Sequence, residues 1–200
     1  MHTIAFGYND ALKTAFWSSH LSAQVLWLDK LRLADLAQVG GKNSSLGEMI
    51  GHLSQLGVSV PGGFATSADA FAEFIAFNNL TQRIYDRLDG LDINDVGTLM
   101  AVGKEIRRWV MDAPFQPELD AAIRQAYAAL CAQNGGGEVS VAVRSSALGE
   151  DSAESSFAGQ FETVLGAEGV PAIRAAVERC LTSAAGARVV HLRTGIVLSA

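Results

Sequence analysis

The chain has 200 residues, 49% of them hydrophobic and 18% charged, with a formal net charge of -6. That length is enough to bury a substantial core as one domain, or as one domain plus an incomplete second piece. An isoelectric point near 5.1 excludes the broad Lys/Arg footprint through which nucleic acid or anionic lipid is bound by counterion release, so any phosphate recognition must be local.

The opening "MHTIAFGYNDALKTAFWSSHLSAQVLW" lacks a basic start, and Asp10 and Lys13 interrupt any apolar run. Neither a signal peptide nor a membrane span is expected from it. Cys131 and Cys180 lie far apart and outside any CxxC pair, which fits small buried residues in a reduced, cytoplasmic setting.

Residues 1–24 carry no clear period and read as an N-terminal extension, with folded structure expected to begin near "VLWLDKL". From Ser45 onward Leu46, Met49, Ile50, Leu53 and Leu56 recur at helical spacing, and Gly57 is placed to stop the helix. "VSVPGGFATS" reads as two short extended pieces around a Pro-Gly-Gly turn. Ser67 is suited to cap a helix over "ADAFAEFIAFNNL", whose Phe71, Phe74 and Ile75 form an apolar stripe. Helical patterns follow at about 92–112 and 117–132, the second with Leu119, Ile123, Tyr127 and Leu130 on one face.

"NGGGEVSVAVRSS" then breaks the helical layer, and Val139, Val141 and Val143 alternate as in a strand. "FETVLG" repeats the strand signal, and "VPAIRAAVERCLTS" returns to a helix with Ile173, Val177 and Leu181 as inward positions. The fold class expected is α+β or α/β, a helical layer on a small mixed sheet drawn partly from the second half.

Two stretches carry chemistry. In "VGGKNSSLGEM" two glycines and Lys42 stand directly ahead of a helix. The Walker A pattern fails, because Leu36 occupies the place of its first glycine and Asn43 that of its magnesium-binding hydroxyl residue. A helix start with a mobile lysine charge still suits phosphate oxygens, and a plain turn with a solvated lysine fits the local pattern as well.

In "VAVRSSALGEDSAESSFAGQFETVL", Arg144 leaves an apolar strand beside two serines. There a guanidinium can be aimed at phosphate by paired donors, or can pair with Glu150 or Asp151 in the following loop. The acidic spacing of that loop does not match an EF-hand. His2, His20, His52 and His191 form no metal-ligating pair, Ser145 and Ser146 lack a GxSxG setting, and a zinc site or serine hydrolase is not expected.

The ordered blocks "GGKNSSLGEM", "GVSVPGGFATSADAF" and "VAVRSSALGEDSAESSFAGQFETVL" resemble the nucleotide-binding region of the pyruvate-phosphate-dikinase-like family. The likeness runs over about residues 25–180. It implies the first half of an ATP-grasp domain, in which two α+β halves close over ATP and Mg2+, with residues 25–183 as the partial domain and 184–200 as a divergent tail. By this resemblance Lys42 and Arg144 contact ATP phosphates, while Gly159, Gln160 and Thr163 form a loop over them.

In the family, ATP passes its β- and γ-phosphates to a histidine on a mobile domain, AMP and phosphate leave, and the remaining phosphoryl group reaches an acceptor such as pyruvate. No "TCHAA"-type stretch occurs here, so no catalytic residue is assigned to this chain, and the magnesium ligands and the pyruvate site are expected in absent parts. Leu148, Gly149 and Phe161 depart from the family pattern. The partners implied are ATP and, on the reading of a split subunit, a separately encoded remainder of the enzyme.

Overall fold

A computed structural model describes residues 2–8, 23–92, 95–147 and 162–180. A five-stranded mixed sheet organises them: β1 (His2–Tyr8), β2 (Val25–Trp27), β3 (Gly63–Thr66), β4 (Val141–Ala147) and β5 (Thr163–Ala167), in the order β2-β3-β1-β4-β5. β1 is parallel to both β3 and β4, and the outer pairs β2–β3 and β4–β5 are antiparallel. The α+β class expected from the sequence is thus present.

Alternation along the strands sorts side chains onto two faces. Phe64, Val141 and Val143 enter a large core with helices α3 (Ala68–Phe77), α4 (Leu80–Leu88), α5 (Val96–Met111), α6 (Pro117–Gln133) and the segment 169–180. Ala65 and Leu26 face the other way, into a smaller core with Leu28, Leu31, Val39 and Ile50, supplied by the turns after β2 and by α1 (Leu36–Val39) and α2 (Gly41–Leu53).

The large core is where most apolar burial occurs. Phe64, Phe74, Ile106, Ile123 and Leu130 are fully buried, each contributing about 1.5–3 kcal/mol relative to exposure. Phe74 meets Phe115 edge-on at 5.7 Å, and Trp27 meets Phe64 at 6.0 Å.

Local chemistry fixes the helix ends. The Ser67 hydroxyl accepts from Ala70 N–H at 3.1 Å, satisfying a donor that the helix itself cannot. Asp95 accepts from Thr98 N–H at 3.0 Å to start α5, and Pro117 opens α6 where its missing N–H costs nothing. Gly57 takes the left-handed conformation, φ 77°, at the stop expected for it.

Five readings of the sequence are corrected. His2–Tyr8, expected to lie outside the fold, is the central strand, because parallel pairing to distant residues on both sides leaves little trace in a seven-residue window. α2 starts at Gly41 rather than Ser45 and buries Asn43, Ser44, Gly47 and Ile50 while Met49 is exposed, so a polar and small stripe shares the inward face with Ile50 and Leu46 of the apolar repeat. Only Gly63–Thr66 of "VSVPGGFATS" is strand, and Val139 precedes β4 rather than belonging to it. α4 is a separate helix, set off by Asn79 at φ 54°.

Cys180 is buried and Cys131 half-buried, both unpaired with each other. Among the described residues no helix is long and apolar enough to cross a membrane.

Candidate functional site

The site is built where the start of α2 meets β4. After α1 the backbone turns at Gly40, φ 78° and ψ 168°, a conformation that glycine alone adopts freely. The turn also has no room for a side chain, since a Cβ at Gly40 would lie 2.0 Å from Ser146 O and 2.7 Å from Ser146 Oγ. A second close approach presses the same helix onto the turn after β2, where a Cβ at Gly47 would lie 2.6 Å from Leu31 O.

This contact has a chemical partner. The Ser146 hydroxyl accepts from the Asn43 N–H at 3.1 Å, while Ser44 N–H makes the first bond of the helix, to Gly40 O at 3.1 Å. Asn43 Nδ2 donates back to Val39 O at 2.7 Å. Asn43 Oδ1 and Ser145 Oγ are buried and have no hydrogen-bond partner among the described residues.

Lys42 stands in the first turn of α2 and is half-buried. Arg144, also half-buried, lies inside β4 rather than beyond its end. Because strand side chains alternate, Arg144 shares the face of Ser146, opposite to core-facing Val141 and Val143. The residue directly across β4–β5 from Arg144 is Thr163, which is exposed, and cross-strand partners share a face.

The first turn of α2, a helix of 13 residues that carries Lys42, is thus bonded to β4 two residues beyond Arg144, and Thr163 lies across from Arg144 on β5. Gly159 and Gln160 lie outside the described residues, as do Glu150 and Asp151, the alternative partners for Arg144.

The opposite face of the same strands is sealed. The Cys180 thiol lies 3.4 Å from both Val143 O and Glu162 O, and burial pushes its pKa up to about 12, so it is an inert neutral thiol. Arg179 pairs with the Glu162 carboxylate immediately before Thr163. β5 carries a bulge between the Val141 and Val143 pairings, with Gly166 at φ 73°, which twists this edge locally.

Chemically the arrangement offers two cations, a hydroxyl and a helix N-terminus to an anion with several oxygens. Among the described residues no group of three or more His, Cys, Asp or Glu could hold a metal ion. Ser146 and Asn43 were not singled out from sequence as parts of the site; the available signal was a polar pair beside glycines and a second polar pair beside an arginine, which become one feature only in three dimensions.

The profile described as "Pyruvate phosphate dikinase, AMP/ATP-binding domain" matches residues 36–196, and the chain belongs to that family. The relatives it resembles include the phosphoenolpyruvate synthase of Escherichia coli (strain K12), 49% identical over 90% of this chain and 23% of the relative. The phosphoenolpyruvate synthase of Pseudomonas aeruginosa (strain UCBPP-PA14) is 54% identical over 77% of this chain and 19% of its own length. That of Aquifex aeolicus (strain VF5) is 42% identical over 80% and 19% respectively. The chain thus spans about a fifth of the length of the relatives it matches.

Proposed function

We propose that this chain is the first part of the ATP-binding domain of a phosphoenolpyruvate synthase, holding the nucleotide whose phosphates are moved elsewhere in the complete enzyme. What supports this reading is the hydrogen bond that ties the start of α2, next to Lys42, to β4 two residues beyond Arg144, with Thr163 as the cross-strand partner of Arg144, in a chain that belongs to a family of AMP/ATP-binding domains. In this reading residues 25–183, together with β1, form part of an ATP-grasp unit, with 184–200 beyond it, and the setting is cytoplasmic.

Lys42 supplies a point charge and Arg144 a forked donor to the phosphate oxygens, and the α2 N-terminus adds its partial positive charge. Thr163, with Gly159 and Gln160, covers the phosphates from the β5 side. These groups fit a triphosphate, whose charge needs neutralising both in binding and as it spreads over a moving phosphoryl group. Mg2+ would reduce the same charge when bound with ATP, its carboxylate ligands belonging to the rest of the enzyme.

The complete reaction of such an enzyme converts ATP, pyruvate and water to AMP, phosphoenolpyruvate and phosphate through a phosphohistidine. This chain contributes nucleotide binding to it and, by itself, turns over no pyruvate.

Calorimetric titration with ATP and Mg2+ tests the site. A phosphate contact from a charged group is worth about 1.5–3 kcal/mol, so Lys42→Ala and Arg144→Ala should each weaken binding by roughly tenfold or more. Binding by the wild-type chain that neither substitution weakens removes the assignment.

A further inference from the structure

We propose that Ser146 is a positioning residue of this nucleotide site, its buried hydroxyl tying the Lys42 turn to the Arg144 strand; the inference rests on the nucleotide-binding reading above.

A helix start needs an oxygen acceptor for its first N–H groups, and that oxygen ordinarily comes from a Ser, Thr, Asp or Asn at the cap position itself. α2 has Gly40 there, which offers none. The reason is steric, since the carbonyl of Ser146 occupies the place of the missing Cβ, 2.0 Å from it. The residue that excludes a capping side chain also replaces its function, because Ser146 Oγ accepts from Asn43 N–H at 3.1 Å. The bond joins residues 103 apart in sequence and is fully buried: Ser146 is 0% exposed and Asn43 1%.

Its position gives it a consequence for ligand binding. Asn43 follows Lys42 on α2, and Ser146 lies two residues after Arg144 on the same strand face. One hydroxyl thus couples the two segments that carry the cations. Without it, the first turn of α2 loses its cap and the hydrogen bond that ties it to β4. A polyphosphate bridging both cations must then order that turn itself, which costs affinity.

The test uses the full 200-residue chain and Ser146→Ala, a change that removes one oxygen and leaves the fit at Gly40 intact. Amide hydrogen exchange read residue by residue should show Asn43 N–H exchanging at least tenfold faster, with β3 and the α3–α6 core unchanged. Titrations with ATP and with AMP, each with Mg2+, should show the preference for ATP over AMP falling at least threefold, because the added phosphates feel the cations most.

A general loosening of the fold would weaken both nucleotides in the same proportion, so an unchanged preference overturns the positioning role. Unchanged exchange at Asn43 overturns the cap, with or without nucleotide present. If the wild-type chain binds neither nucleotide, the proposed function falls and the positioning role with it; a wild-type chain that binds ATP with a variant indistinguishable from it sinks this inference alone.

Discussion

Gly40→Ala isolates the geometry on which the site depends. The new Cβ would lie 2.0 Å from Ser146 O and 2.6 Å from its carbonyl carbon, roughly 1 to 1.5 Å inside ordinary contact of about 3.5 Å. Both obstacles are backbone, so no rotamer change relieves them, and the first turn of α2 or the end of β4 must move. Overpacking of this kind costs about 1–3 kcal/mol. The backbone at φ 78° and ψ 168° adds about 1–3 kcal/mol of strain for a residue with a side chain. The loss of unfolded-chain freedom works the other way by only about 0.4–1 kcal/mol. The sum is a destabilisation of about 1–6 kcal/mol, or a drop in Tm of roughly 2–20 °C for a domain of this size. Differential scanning calorimetry or circular dichroism melting measures it. A variant melting within about 1 °C of wild type would show that α2 and β4 are not pressed together as described.

Two further expectations concern the support behind the site. Tyr127 OH donates to Val139 O at 3.0 Å and accepts from Val139 N–H at 3.2 Å and Gly169 N–H at 3.0 Å; Tyr127→Phe leaves a buried Gly169 donor unsatisfied and should cost about 1–3 kcal/mol, seen as a lower urea midpoint at unchanged m-value. Cys180, with its pKa raised by burial from 9.0 to about 12, keeps its proton in the folded chain after the unfolded chain has lost it. Its contribution to stability is therefore complete below about pH 9 and is lost as pH rises towards 12. In urea titrations of wild type and Cys180→Ala, the wild-type midpoint should fall more steeply above pH 9 than that of the variant; parallel curves would contradict this assignment.

What the sequence made legible was what local pattern controls. The stripes of α3, α5, α6 and the segment 169–180 were readable because each turns one apolar side into the large core, and Ser67 and Gly57 announced helix ends through their own chemistry. Strand β1 was not readable, since its place depends on partners at residues 63–66 and 141–147. α2 was placed by an apolar repeat that includes exposed Met49 and Leu56, whereas its buried stripe is Asn43, Gly47 and Ile50. There close backbone approach at Gly47 works together with apolar Ile50 and Leu46, and which glycine is crowded depends on the segment packed against it.

Of the candidate site, Lys42, Arg144 and Thr163 were named from resemblance, and the fold brings their segments together. The Ser146 cap could not be read in advance, because the hydroxyl and the N–H it serves are 103 residues apart, with β3 and α3–α6 between them.

The central position of β1 has a consequence for how the chain acquires its shape. This strand leaves the ribosome before either neighbour, and β4 follows only after α3, α4, α5 and α6. Its contacts are among the most distant in the chain, which raises contact order and slows folding. Until β4 arrives, one edge of β1 presents unpaired backbone groups, an invitation to pairing with the same segment of another copy. Completion of the sheet and protection from association during synthesis are thus a single event, the docking of Val141–Ala147, and that segment carries Arg144 and Ser146 into the site as it docks.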